Sequence, residues 1–150
     1  MTFYQLLVLI HVISAILGLG PGFIMTYILT KTDKIAELRH SYQLRGRLHL
    51  IVMSGGIILL VTGLSMGAIN PYLFRTGWYV LSLVLYFVAL AFGPLLLSPL
   101  TKKIRPMLAA HDGEDIPEGY WPLAKKVYLY ENIINGIFVV IIVLMMLKPF

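Results

Sequence analysis

Apolar residues in this chain come in four long runs, separated by short stretches that collect nearly all the charge. The runs cover about residues 3–29, 48–69, 78–100 and 127–147. Each reaches the ~20 residues a helix needs to cross the hydrocarbon core of a bilayer. They are continuous rather than alternating, and as strands they would leave open edges in lipid, so helices are expected rather than strands. The pattern predicts a single all-α domain, an integral membrane bundle of four transmembrane helices.

Within the runs, small and polar residues recur at helical spacing. Helices in lipid gain little from hydrophobicity when they associate, so rows of small residues mark the buried faces. Ser14, Gly18 and Gly22 form such a row in the first run, with His11 and Ala15 beside it. The second run offers His49, Met53, Gly56, Leu60, Gly63 and Gly67, and the third Ser82, Tyr86, Ala89 and Gly93. In the fourth, Glu131 and Asn135 lie one turn apart, with Tyr128 below and Asn132 adjacent. Pro21 and Pro94 are expected to bend their helices. Gly18/Gly22 and Gly63/Gly67 are GxxxG pairs that suit packing within the chain or between copies of it.

Charge adds an orientation. Ten of the twelve Lys and Arg residues fall in two loops: Lys31, Lys34, Arg39, Arg45 and Arg47, then Lys102, Lys103, Arg105, Lys125 and Lys126. The positive-inside rule makes those loops, about residues 31–47 and 101–126, cytoplasmic, and places both termini outside. Ile35, Leu38, Tyr42 and Leu44 give the first loop an apolar side, so it is expected to hold a short interfacial helix. The stretch from His111 to Gly119 reads as a polar turn. The first run has no basic residue ahead of it and no small-residue cleavage site, and reads as a retained helix.

Composition agrees. The chain is 59% hydrophobic and 13% charged, against about a quarter charged in a soluble domain. The net charge of +5 belongs to loops held at an anionic leaflet. No basic face is interleaved with aromatics of the kind that reads bases, so no nucleic-acid partner is expected. Cysteine is absent, which excludes disulfides and thiol chemistry. No metal-ligand spacing, phosphate loop or nucleophile–base pair is present, so no catalytic or metal residue is assigned.

Three ionisable residues lie in or at the edges of the runs: His11, His49 and Glu131. Such residues are costly in lipid and are functional candidates by default. His11 falls in the outer third, and the other two near the inner boundary. At ~1.5 Å per residue the two histidines differ in depth by roughly 20 Å, too far to clamp one haem iron. His11 with Met66 opposite is an alternative haem pair. His49 and Glu131, with Asn132 and Asn135, form a candidate proton or ligand cluster. The bland reading of the same residues is an ion pair of Glu131 with His49, Arg45 or Arg47.

The run from His11 through Gly22, the run from Leu48 through Gly56, Thr62-Gly63 and Tyr130-Glu131-Asn132 resemble the bacterial integral membrane proteins of the domain-of-unknown-function 2269 family. The resemblance covers nearly the whole chain and implies the inner membrane of a bacterium, with no established activity. A histidine early in helix one followed by small residues and a helix-two Thr-Gly is also similar to the copper-resistance D and membrane protoporphyrinogen-oxidase group. That likeness implies haem held by His11. The lysine of the oxidase family's second helix has no counterpart near His49, so the oxidase activity does not carry over.

Three readings follow. The first is a non-enzymatic accessory or assembly bundle, acting as a homo-oligomer or with another membrane protein. The second is a haem-binding or redox protein using His11 and Met66. The third is a proton-coupled transporter using Glu131 and His49.

Overall fold

The computed structural model describes residues 1–150. It is all-helical: α1 (Phe3–Thr30), α2 (Ile35–Ile69), α3 (Gly77–Phe92), α4 (Ser98–Ala110) and α5 (Tyr120–Leu147). Thr2 starts α1 through a capping box: its hydroxyl accepts from the Gln5 amide at 3.2 Å, and its own amide donates to Gln5 Oε1 at 2.9 Å. Both contacts satisfy amides that have no partner inside the helix. A 3-10 turn at Pro71–Arg75 joins α2 to α3.

The third crossing does not break at Pro94. Proline has no amide hydrogen to give the ladder, and the backbone widens into one π turn over Gly93–Leu97. Gly77–Ala110 therefore runs on as one span of 34 residues. Pro21 is accommodated inside an unbroken α1. Four helical spans are thus long and apolar enough to cross a membrane.

Only 27 of 150 residues are buried, and the exposed surface includes Val12, Ile16, Ile57, Val61, Val84, Phe87, Leu129 and Val143. An apolar exterior all round the helices is what lipid requires of a spanning bundle.

Helices continue past the apolar runs at the basic end. The first loop is not a separate interfacial helix: residues 35–47 are the start of α2, and only Lys31–Lys34 connect it to α1. Ile35 and Leu38 of that extension, with Tyr42, pack against Leu29, Ile104, Leu108, Tyr120, Ala124 and Val127. This is the largest buried cluster, and most of its residues lie outside the apolar runs. In water-exposed segments hydrophobic burial regains its driving force, so the best-packed core sits beyond the hydrocarbon rather than within it. Arg39 fastens α2 to the end of α4, donating from Nε to the Leu108 carbonyl at 2.7 Å and from Nη2 to the His111 carbonyl. These are carbonyls the helix end leaves without an amide partner.

Within the membrane α1 packs most closely on α2. Gly18 and Gly55 make this possible: a Cβ on Gly55 would lie 2.7 Å from the Gly18 nitrogen and 2.8 Å from its Cα. The glycine rows are therefore occupied inside the chain. Gly22 faces Asn135, Gly63 faces His11, and Gly67 faces Tyr79 and Phe74. Both GxxxG pairs thus meet partners within the chain. α3 stands further from α2 and reaches it through tyrosines. Tyr79 donates to the Gly63 carbonyl at 2.9 Å and Tyr86 to the Gly56 carbonyl at 2.7 Å.

Candidate functional site

Two polar junctions form inside the bundle. The first is built on the α1 row, which continues one turn past Gly22 to Thr26. The Thr26 hydroxyl lies 2.9 Å from Glu131 Oε2 and 3.1 Å from the Gly22 carbonyl. Glu131 Oε1 forms an ion pair with Nη1 of Arg45. Side-chain exposure is only 18% for Arg45 and 12% for Glu131, so this is a pair largely withdrawn from solvent. It ties α1, α2 and α5 together at one level. Glu131 follows the start of the fourth apolar run by four residues, and Arg45 precedes the second by three. The acid is thus on the membrane side of the boundary and the guanidinium reaches up to it.

Below this clasp, Tyr128 donates to the Leu29 carbonyl at 3.2 Å, and the Tyr120 and Tyr128 hydroxyls are 3.0 Å apart. Tyr42 stands edge-on to Tyr120.

Of the expected cluster, Glu131 and Asn135 face the interior. Asn135 Oδ1 lies against Gly22, at 3.3 Å from the position a Cβ would take there. Asn132 and His49 are exposed, and no ion pair joins His49 to Glu131: the sole one is with Arg45. The physical reason is reach: Arg45 stands one turn before His49, about 40° around the helix, and its longer side chain takes the Glu131 carboxylate. Arg45 is one of the three ion-pair partners expected for Glu131; Thr26 and Tyr120 are not among the residues the sequence singles out. The continued four-residue row from Ser14 through Gly22 was a signal for Thr26.

The second junction is nearer the N-terminal end of α1. His11 Nδ1 lies 2.8 Å from Thr62 Oγ1. Thr62 has its own backbone acceptors, the Ile58 carbonyl at 2.7 Å and the Leu59 carbonyl at 3.1 Å. Its one hydrogen goes to a carbonyl, so its oxygen accepts and His11 Nδ1–H donates. This assigns the tautomer from the network and leaves Nε2 with a lone pair.

That nitrogen has suitable chemistry for haem iron, but the surroundings do not fit the group. The adjoining cleft, between His11, Leu59, Gly63, Tyr79, Ser82 and Tyr86, measures about 50 Å³. A site that encloses a ligand needs roughly 300 Å³ or more. Met66, expected opposite His11, does not line the cleft. The residues are placed for a histidine–threonine bond between α1 and α2, and not for a macrocycle. No group of three or more His, Asp and Glu side chains is arranged to hold a metal ion.

No curated protein and no solved structure matches this chain. A family model does match, over residues 5–149, and the chain belongs to the family it describes: predicted integral membrane protein, DUF2269.

Proposed function

We propose that the protein is a non-enzymatic membrane bundle that serves as an accessory or assembly partner of another membrane component. The observation that carries this reading is the Glu131–Arg45–Thr26 clasp. The one acid inside the apolar runs is bonded to a cation and a hydroxyl from two other helices. Its charge holds helices together instead of standing ready for a proton or a substrate. His11 does the same for α1 and α2 through Thr62. Transport through Glu131 and His49 draws less support, since His49 faces outward. The haem reading lacks room beside His11.

A photo-crosslinking amino acid placed at exposed positions on α5, Ile133 and Val140, tests the proposal in native membranes. A discrete protein adduct is expected from at least one position, with self-association recognised at twice the monomer mass. Lipid adducts alone at both sites would overturn it.

The setting proposed is a bacterial inner membrane with loops 31–47 and 101–126 on the cytoplasmic side. The cysteine-free sequence makes this simple to check. In intact cells an impermeant maleimide is expected to label Arg75→Cys and to spare Glu114→Cys until the membrane is opened. The reverse pattern would invert the orientation.

A further inference from the structure

We infer that a groove between α2 and α4 at the basic end holds the phosphate of an anionic phospholipid from the adjoining leaflet. The groove measures about 240 Å³ and is lined by Arg39, Gln43, Gly46 and Arg105, with Tyr42 and Leu108 among its apolar walls. No carboxylate lines it. Neither arginine is in an ion pair, because the single pair in the molecule is Arg45–Glu131. Arg39 is already immobilised by its bonds to the Leu108 and His111 carbonyls, and no protein group engages its Nη1. Two guanidinium groups thus share a concave surface with no counter-charge of their own. Guanidinium matches phosphate oxygens in geometry as well as charge.

Gly46 shapes the groove. Arg105 Nη2 sits 3.0 Å from the point where a Cβ would project from this residue. Any side chain at position 46 would displace the guanidinium and fill the floor. Glycine within a helix is unfavourable relative to alanine, and here it leaves a cradle next to a cation.

Depth selects a lipid over a soluble anion. The second apolar run begins at Leu48 and the third ends at Leu100. At ~1.5 Å per residue, Gly46 lies about 3 Å and Arg105 about 7.5 Å beyond the hydrocarbon edge. The headgroup layer occupies roughly the first 5–8 Å outside that edge. Gly46, Arg105 and the intervening wall therefore stand where lipid phosphates are concentrated, and Arg39 closes the groove on the water side.

The test is a titration of the detergent-purified full-length protein with a short-chain phosphatidylglycerol, read by native mass spectrometry. Phosphatidylcholine and inorganic phosphate are run as separate arms. Saturable binding of phosphatidylglycerol is expected, with little binding of phosphatidylcholine. Removing one cation near a membrane surface is worth about fivefold in affinity, so Arg105→Gln and Gly46→Leu should each weaken binding by at least that factor. Lys126→Gln, an exposed charge on α5 away from the groove, should leave it unchanged. Arg105 is itself exposed, so its variant folds even where Gly46→Leu does not. Equal losses in Arg105→Gln and Lys126→Gln would reduce the effect to diffuse charge and overturn the site. Equal binding of the two lipids would do the same. Displacement by millimolar inorganic phosphate with no preference for phosphatidylglycerol would overturn the lipid as occupant.

Discussion

Glu131→Leu is expected to lower the stability of the bundle by about 3 kcal/mol, because it strands Arg45 without a partner. The figure is at the low end for breaking a buried pair. Arg45 lies close enough to the basic-side boundary to turn partly toward water. The Thr26 hydroxyl also loses its carboxylate and falls back on the Gly22 carbonyl 3.1 Å away. Unfolding by SDS in mixed micelles, followed by the fluorescence of Trp78 and Trp121, measures the loss. The informative companion is the double variant Arg45→Leu/Glu131→Leu. Removing both charges leaves no unpaired ion, so it should return to within about 1 kcal/mol of the parent. If the single variant proves as stable as the parent, each charge reaches water on its own and the clasp holds nothing.

Gly55→Ala should cost about 2–3 kcal/mol, the scale of overpacking a close contact. The new methyl would meet the Gly18 nitrogen at 2.7 Å, the Gly18 Cα at 2.8 Å and the Ser14 carbonyl oxygen at 3.1 Å. These are backbone atoms, which cannot rotate aside as a side chain can, so α1 and α2 must separate. Gly18→Ala should cost less, since its nearest atoms are Gly56 N at 3.0 Å and Gly55 C at 3.1 Å. Gly136→Ala meets nothing within 4 Å and should be neutral or stabilising by up to about 1 kcal/mol. The same micelle titration ranks the three. A flat series would mean that α1 and α2 do not touch through these glycines.

The contacts these variants probe differ in how readable they are from the sequence. Of the inward row expected for the third span, Ser82, Tyr86 and Ala89 are buried, whereas Gly93 is half-buried and a Cβ there would meet nothing within 4 Å. The second run offers two rows of small residues side by side, Gly55–Leu59–Thr62 and Gly56–Leu60–Gly63. Hydropathy does not distinguish them. The structure uses both: Gly55 lies against Gly18, Gly56 against Tyr86 and Gly63 against His11. His49 and Arg45 lie one turn apart on nearly the same face, and the longer arginine takes Glu131 while His49 stays exposed. Thr26 was legible as the next step of the α1 row. Arg45 was legible as a candidate partner of Glu131 and not as the chosen one.

The helices run on beyond the apolar runs at the basic end. Hydropathy marks where lipid stops, and α2, α4 and α5 continue into water on amphipathic faces that pack on one another. Leu38, Ile104, Leu108 and Tyr120 look like loop residues to a search for apolar runs, yet they are among the most buried side chains.

By itself, then, the sequence determined the solvent and the number of crossings. A chain with four apolar runs must satisfy its backbone internally when water is absent, and helices are the arrangement that does so. Only the tertiary structure decided which faces meet. In lipid one apolar face is as well solvated as another, so pairing rests on close approach at glycines and on hydrogen bonds between residues far apart in the chain. The Arg45–Glu131 clasp, the His11–Thr62 bond and the Arg39–Arg105 groove all belong to that second category.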